Sequence, residues 1–439
     1  MLNNQVQSDG AQKIIEQRKA YFYPCTQHFY KRPPLITQGR GQYLVDDVGK
    51  QYVDFFAGVS VVACGHCNEV ITNATVEQLR TLQHTCTIYL TEPNAKLAEK
   101  LADVLPGDLK RTFFCNSGSE ANEGAMLLAR LHTGRKGFIA LQHGLHGRTY
   151  LTMSVTGLSM WQADPYLAQE DVSFIPRPYD VELTQDEAAL RSIEALREVL
   201  QAKGDTIAAM IVEPIQGNGG IVAPPLWYFK EVKALLEQYG VLLIADEVQS
   251  GFGRTGKMFA IEHFGIVPDI IAMGKALGNG VPISAFSTTD AIAASFTKPS
   301  ASTFGGNPVA SVTAMAVLDF IHNEKLLARS AQLGSLLMGH LKKLQEKFAV
   351  IQDVRGFGLM IGLQLNSDTP QRTAEFVDEI LEQMKDRGFL LGKNGVGRDV
   401  IAFQPPLIIT EENIETMIHQ LTEVFTIVTQ ANAVGEGVH

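Results

Sequence analysis

The chain has 439 residues, 45% hydrophobic and 19% charged, with a formal net charge of -10. That composition supports a large globular core, and basic residues scattered without any Lys/Arg run exclude an electrostatic nucleic-acid or membrane surface. No apolar run approaches the roughly 18 residues of a spanning helix. The polar stretch Met1 to Lys19 holds no signal core, and five cysteines are too sparse and odd in number for a disulfide framework, so a cytoplasmic protein is the expectation.

In chain order, residues 1–35 read as a helix from Ala11 to Tyr21 followed by an extended arm carrying Tyr21-Phe22-Tyr23 and Phe29-Tyr30. Alternation around central turn residues makes 41–54 a hairpin, and helical periodicity returns over Glu69–Leu82 and Pro93–Val104. Short apolar runs then recur at Thr112–Cys115, Gly137–Leu141, Val172–Ile175, Ile207–Val212, Val241–Ala245, Ile270–Met273 and Ile283–Ser287. Helical segments such as Asp186–Lys203 and Leu226–Tyr239 separate several of them, which is the pattern of a largely parallel, helix-covered sheet in an α/β protein. After Thr303-Phe304-Gly305-Gly306-Asn307-Pro308 a long helical region runs to about Phe348. Strands near Val350–Val354 and Leu359–Leu365 and helices at Thr373–Arg387 and Glu411–Thr429 follow. The division is an N-terminal arm and hairpin over 1–65, a large α/β domain over 66–322 and an α+β lobe over 323–439, the smaller lobe drawing on both termini.

Two motifs mislead. Cys64-Gly65-His66-Cys67 has the spacing of a redox pair but no strand-to-helix context, and no second ligand pair that would suit zinc. Gly251-Phe252-Gly253-Arg254-Thr255-Gly256-Lys257 fits seven positions of a phosphate-binding loop, but Met258 follows where a hydroxyl would meet Mg²⁺. No metal site is expected.

Ligands of a helix-covered parallel sheet gather beyond the carboxyl ends of its strands, so those ends hold the candidates. Ser117, Gly118 and Ser119 open a helix after Thr112–Cys115, either as a phosphate cradle or, at Ser119, as a simple cap. His143-Gly144-Leu145-His146-Gly147-Arg148 follows Gly137–Leu141, and Glu213-Pro214-Ile215-Gln216-Gly217 follows Ile207–Val212. Asp246 ends the next run, either ion-paired or facing a protonated ring nitrogen. Lys275 lies two residues past Met273. It is either a surface loop lysine or a desolvated amine able to form Schiff bases. Taken together, a phosphate cradle, a carboxylate for a pyridinium and a nucleophilic lysine are what pyridoxal 5'-phosphate requires of a protein.

The motifs Asn116-Ser117-Gly118-Ser119-Glu120-Ala121, His146-Gly147-Arg148-Thr149, Glu213-Pro214-Ile215-Gln216-Gly217, Asp246-Glu247-Val248-Gln249-Ser250-Gly251-Phe252-Gly253-Arg254, Gly274-Lys275 and Thr303-Phe304-Gly305-Gly306-Asn307-Pro308 occur in the order and spacing of a known family. In them the chain resembles the class III (ω-type) aminotransferases of the fold-type I pyridoxal-phosphate superfamily, over about Gly41 to Thr429. The resemblance implies that Lys275 carries the cofactor and shuttles protons. It also implies that Asp246 keeps the ring nitrogen protonated, Gln249 sits by the ring hydroxyl and Val248 packs on a ring face. Gly118 and Ser119 would hold the phosphate, with Ser117 and His146 beside the cofactor and Glu213 orienting from behind. Thr303 would reach the phosphate of a neighbouring subunit, making the active unit a homodimer or tetramer.

Departures from the family pattern bear on substrate. Leu145 stands where an aromatic ring usually stacks on the cofactor, which implies weaker or differently tilted ring packing. Members using 2-oxoglutarate pair a glutamate with an arginine; here those positions are Asn218 and Ala402. Arg398, four residues earlier, is a candidate carboxylate clamp. Ser60 and Tyr89 are candidates for the substrate pocket or for loop packing. The expected activity is transfer of an amino group from an ω-amine, β-amino acid or alanine-like donor to pyruvate or glyoxylate by ping-pong chemistry. A racemase or an amino-phospholyase on the same fold is the alternative.

Overall fold

The computed structural model describes residues 8–167, 169 and 171–435, with the side chains of 431–435 left out of account, so the first seven residues of the polar N-terminal stretch lie outside the described residues. Three sheets organise the chain. The N-terminal sheet holds β1 (Ile36–Arg40), β2 (Tyr43–Asp46) and β3 (Gln51–Asp54). The central sheet comprises β4 (Arg111–Cys115), β5 (Gly137–Leu141), β6 (Val172–Ile175), β7 (Ile207–Val212), β8 (Leu242–Asp246), β9 (Ile270–Met273) and β10 (Ser284–Thr288), in the order β4-β10-β9-β8-β7-β5-β6. The C-terminal segment gives β11 (Ile351–Phe357), β12 (Met360–Leu365), β13 (Phe389–Leu390), β14 (Gly392–Asn394) and β15 (Val400–Phe403).

In the central sheet β5, β6, β7, β8 and β9 pair in parallel, while β10 is antiparallel to both β9 and β4. Every residue of β5, β7 and β9 is buried. Unbroken apolar runs such as Ile207-Ala208-Ala209-Met210-Ile211-Val212 have no polar face to offer water, so helices cover both sides. Helix Gly118–Thr133 packs on β9 and β10, and helices Gln185–Lys203 and Tyr228–Gln238 pack on each other.

The structure differs from the sequence reading in two respects. The long helical region is two helices, Pro308–Asn323 and Leu326–Lys347, parted at Lys325, whose φ of 52° lies outside the helical range. β1 and the short strands β13, β14 and β15 are additional. These strands are too brief, and β14 too glycine-rich, to show a period. β13 pairs in parallel with β3, so the N-terminal sheet closes only when residues 389–390 return to residues 53–54. β11, β12, β15 and β14 form a separate antiparallel sheet. No helix among the described residues is long and apolar enough to cross a membrane.

Arg254, in the glycine-rich stretch that imitates a phosphate loop, ties the central sheet to the C-terminal sheet. It is 1% exposed, donates from Nη1 to the carbonyls of Leu359 and Pro405, and accepts at its own carbonyl from Leu359 N. Burial lowers its pKa to about 9. Arg254→Ala would open a cavity and leave two buried carbonyls without donors. It is expected to cost about 3 kcal/mol or more, read as a lowered midpoint in urea unfolding.

Candidate active site

Because β10 is antiparallel to both β4 and β9, the carboxyl ends of β4, β5, β7, β8 and β9 lie along one edge of the sheet. β9 leads into Lys275, whose φ of 43° is a left-handed conformation for a residue with a Cβ. Such strain costs about 1–3 kcal/mol and persists only where the surroundings impose it. Lys275 Nζ donates to Gln249 Oε1 at 3.3 Å. Burial lowers the lysine's pKa, against the opposing pull of Asp246 and then Glu213. The amine is thereby biased toward its neutral, nucleophilic form.

Asp246 ends β8 and is 4% exposed. Its Oδ2 accepts from Asn122 Nδ2 at 2.8 Å and faces His146 Nδ1 at 2.8 Å, while Oδ1 accepts from Val248 N at 3.1 Å. Donors from three segments compensate a carboxylate that would otherwise be costly to bury. Around it, His146 Nε2, Gln249 Nε2 and Asn122 Oδ1 are buried without partners among the described residues. Buried polar atoms are nearly always paired, so three orphans around one carboxylate and one amine indicate a polar group bound there.

The start of helix Gly118–Thr133 corrects one expectation: its cap is Ser117, not Ser119. Ser117 Oγ accepts from Glu120 N, and Glu120 Oε2 accepts from Ser117 N. Ser119 Oγ instead accepts from Arg148 N at 3.0 Å. The first N–H groups of the helix have no acceptor within it. A Cβ on Gly118 would stand 2.7 Å from Val248 Cγ1, and one on Gly147 would stand 2.6 Å from Ser119 Oγ, so the backbones here approach as only glycine permits. An amine for a carbonyl, a carboxylate for a ring nitrogen and a helix start for a phosphate fit pyridoxal phosphate.

Glu213 follows β7 and is 6% exposed. Its two oxygens accept from Leu145 N at 2.8 Å and Gly217 N at 2.9 Å, which pins the loop after β5 to the loop after β7. Burial pushes its carboxyl up to about 7; His146 opposes the shift and Asp246 adds to it. The neighbouring Glu247, bonded to Ser250 Oγ and Ile261 N, is raised to about 7 by its own burial.

A cavity of about 470 Å³ opens over Lys275. Its walls are mainly hydrocarbon, from Leu145, Phe29, Phe56, Leu158 and Trp161, with Arg148, Arg398 and Lys393 as cations besides Lys275. Arg398 is thus among the residues that line the cavity. Ser60 does not line the cavity; it is 1% exposed with an unpartnered Oγ, while the preceding Gly58 and Val59 reach the wall. Tyr89 is 68% exposed and also lies outside the lining. Ala402, at the position where 2-oxoglutarate users carry an arginine, is outside the lining and buried on β15 in a cluster with Ile215, Ile221 and Met360. Thr303 is exposed and away from this cavity. Cys64 is buried, with its thiol pushed up to about 12 by burial, and Cys67 is exposed, so neither forms a poised redox pair.

The residues that sequence reasoning missed are Asn122, Phe29, Phe56 and Lys393. Asn122 left a faint signal as a polar residue on the sheet-facing side of an Ala/Leu-rich helix. The other three come from distant segments and left none.

A family model described as "Aminotransferase class-III" matches residues 27–425. The chain is 40% identical over 417 residues to the mitochondrial alanine–glyoxylate aminotransferase 2 homolog 2 of Arabidopsis thaliana, covering 94% of this chain and 87% of the relative. It is 38% identical over 430 residues to the acetylornithine aminotransferase of Methanosarcina acetivorans, covering 96% and 100%. Among solved structures, a PLP-bound amine transaminase from an uncultivated Pseudomonas species superposes with a TM-score of 0.86 at 29% identity, covering 93% of this chain and 98% of that one.

The raised Glu213 carboxyl carries a pH signature. The folded chain keeps a proton that the unfolded chain releases near its ordinary pKa of 4.5. This stabilisation is complete below that pH and is lost as the pH rises through about 7. In urea unfolding from about pH 4.5 to 8, the unaltered protein should lose stability relative to Glu213→Gln across that window. Glu247 titrates in both proteins and cancels from the difference.

Proposed function

This chain belongs to the class III aminotransferases, and on that premise we propose that it moves an amino group from an ω-amine, β-amino acid or alanine-like donor to a small 2-oxo acid such as pyruvate or glyoxylate. Its cofactor is pyridoxal 5'-phosphate, which when bound supplies the carbonyl that takes the amino group and a ring that accepts the electrons released at the substrate α-carbon.

In this reading each residue has a physical task. Lys275, desolvated and held by Gln249, would hold the cofactor and then carry the proton from the donor's α-carbon to the cofactor's carbonyl carbon, with the reverse transfer serving the acceptor. Asp246, anchored by Asn122 and Val248 N, keeps a proton on the ring nitrogen. Val248 would pack against the ring, with Leu145 at the position where relatives carry a stacking aromatic. Gln249 lies by the ring hydroxyl, and Ser117, Gly118 and Ser119 receive the phosphate at the helix start. Glu213 and His146 fix the loops and the carboxylate that meet the ring. Arg398 receives the carboxylate of an amino or oxo acid, and the hydrocarbon walls exclude water from the reacting amine.

The observation that carries the small-acceptor reading is that positions 218 and 402 hold no glutamate–arginine pair. A second carboxylate, as on 2-oxoglutarate, needs a buried cation. At 402 there is a methyl among Ile215, Ile221 and Met360, and position 218 is asparagine. Thr303 is exposed, and Ile88, Tyr89, Leu90 and Phe304 expose large apolar surface. A second copy of the chain would cover such a patch, so the active unit is at least a homodimer in which Thr303 serves the neighbouring site.

The test is the visible spectrum of the purified holoprotein while donors are added singly. L-Alanine or an ω-amine should bleach the band, and pyruvate or glyoxylate should restore it, with 2-oxoglutarate at least about tenfold slower. Lys275→Ala should abolish the cycle, and Asp246→Asn should slow it by about a hundredfold or more. A band that persists while racemised amino acid or free phosphate accumulates would overturn the transaminase reading.

A further inference from the structure

One wall of the Lys275 cavity is a stack built from the C-terminal sheet outward. On the paired strands β14 and β15, Gly392 stands opposite Ala402, so together they present no side chain larger than a methyl. The Phe56 ring sits over this place, so closely that a Cβ on Gly392 would be 2.2 Å from Phe56 Cδ2. Phe29, from the N-terminal arm, packs on Phe56 with ring centroids 5.9 Å apart and an interplanar angle of 50°. The guanidinium carbon of Arg398 stands 5.9 Å from the Phe29 centroid. Of the other cations of the wall, Lys393 is already paired with Asp378 and Arg148 is exposed, whereas Arg398 is held against a ring and has no carboxylate partner among the described residues.

We propose that Phe29 is a specificity-determining residue that positions the Arg398 guanidinium at the cavity wall for the carboxylate of amino-acid and oxo-acid substrates. The choice of substrates rests on the aminotransferase reading; the contact itself does not. An arginine side chain is rotamer-rich, and ordering it on binding costs affinity. An aromatic face restricts it beforehand through a soft attraction, weaker than the charge-assisted bonds a carboxylate then offers. The guanidinium is thus held in reach without being neutralised. An amine that lacks a carboxylate makes no use of Arg398, so its binding does not depend on where the guanidinium is held. Gly392 and Ala402 are part of the same device, because a larger side chain at either position would displace the Phe56 ring on which Phe29 rests.

The decisive comparison uses L-alanine and propan-2-amine, which differ by a carboxylate in place of a methyl. Phe29→Leu in the holoenzyme should raise KM for L-alanine about 3- to 10-fold while kcat changes less than about twofold. KM for propan-2-amine should move less than about twofold, and Phe29→Tyr should restore the alanine value. In an Arg398→Ala background, Phe29→Leu should add nothing, because the two side chains act as one unit. Propanoate binding, followed by the fluorescence of Trp161 at the cavity with Trp227→Phe removing the only other indole, should weaken by the same factor. Equal changes for both amines, or an undiminished effect of Phe29→Leu without Arg398, would overturn the proposal. Failure of the unaltered enzyme to turn over either amine would overturn the functional reading, while the propanoate titration, which needs no turnover, would still decide the role of Phe29.

Discussion

The structure depends on a carboxylate and an amine set at the ends of neighbouring strands. Asp246 and Lys275 stand where β8 and β9 leave a sheet with no polar face. Both are expensive to desolvate, and the chain meets that cost without joining them directly. Asn122, His146 and Val248 N face the carboxylate, while Gln249 takes the amine. The lysine is left desolvated and held in a left-handed backbone conformation. A carboxylate fixed by donors and an amine biased toward neutrality are opposite outcomes of one environment, and the chemistry of a Schiff-base cofactor needs both.

Around this pair, loops are made rigid by buried polar ties. Glu213 joins the loop after β5 to the loop after β7, and Gln216 Nε2 reaches the Gln142 carbonyl across the same gap at 2.9 Å. Behind them Arg177 donates to the carbonyl of Gly219, and Arg355 to those of Gly220 and Ile221. Asn394 donates to Gly217, so the C-terminal sheet presses on the same loop. Loops with this many backbone bonds hold a site to the tolerance that oriented proton transfer needs.

The cavity wall is assembled from all parts of the chain. Phe29 comes from the arm, Phe56 from the turn after β3, Leu145 and Trp161 from the segments after β5, and Arg398 from the loop between β14 and β15. The parallel pairing of β3 with β13 brings the first and last of these together. Hydrocarbon on most sides with a few cations, Arg398 among them, suits ligands with an apolar body and a carboxylate. It arises from small residues at Gly392 and Ala402 as much as from large ones elsewhere.

The sequence by itself determined the central sheet, because unbroken apolar runs between helical segments admit little besides a covered parallel sheet. It also determined Lys275 and Asp246, because lysine and aspartate at the ends of such runs are costly unless used. Val248, Gln249 and Glu213 took their roles from the resemblance to the family, as did Ser117 beside the phosphate cradle at Gly118; each lies within a few residues of a strand end. Only the tertiary structure decided what faces the substrate. Asn122 meets Asp246 across 124 positions of sequence, and no local period encodes that meeting. It also decided that Ser117 rather than Ser119 caps its helix, that Ser60 and Tyr89 lie off the cavity wall, and that Ala402 is sealed among hydrocarbon side chains. Local order follows from periodicity and capping, which a few neighbouring residues specify; a cavity wall follows from the packing of segments far apart in the chain, which no single segment contains.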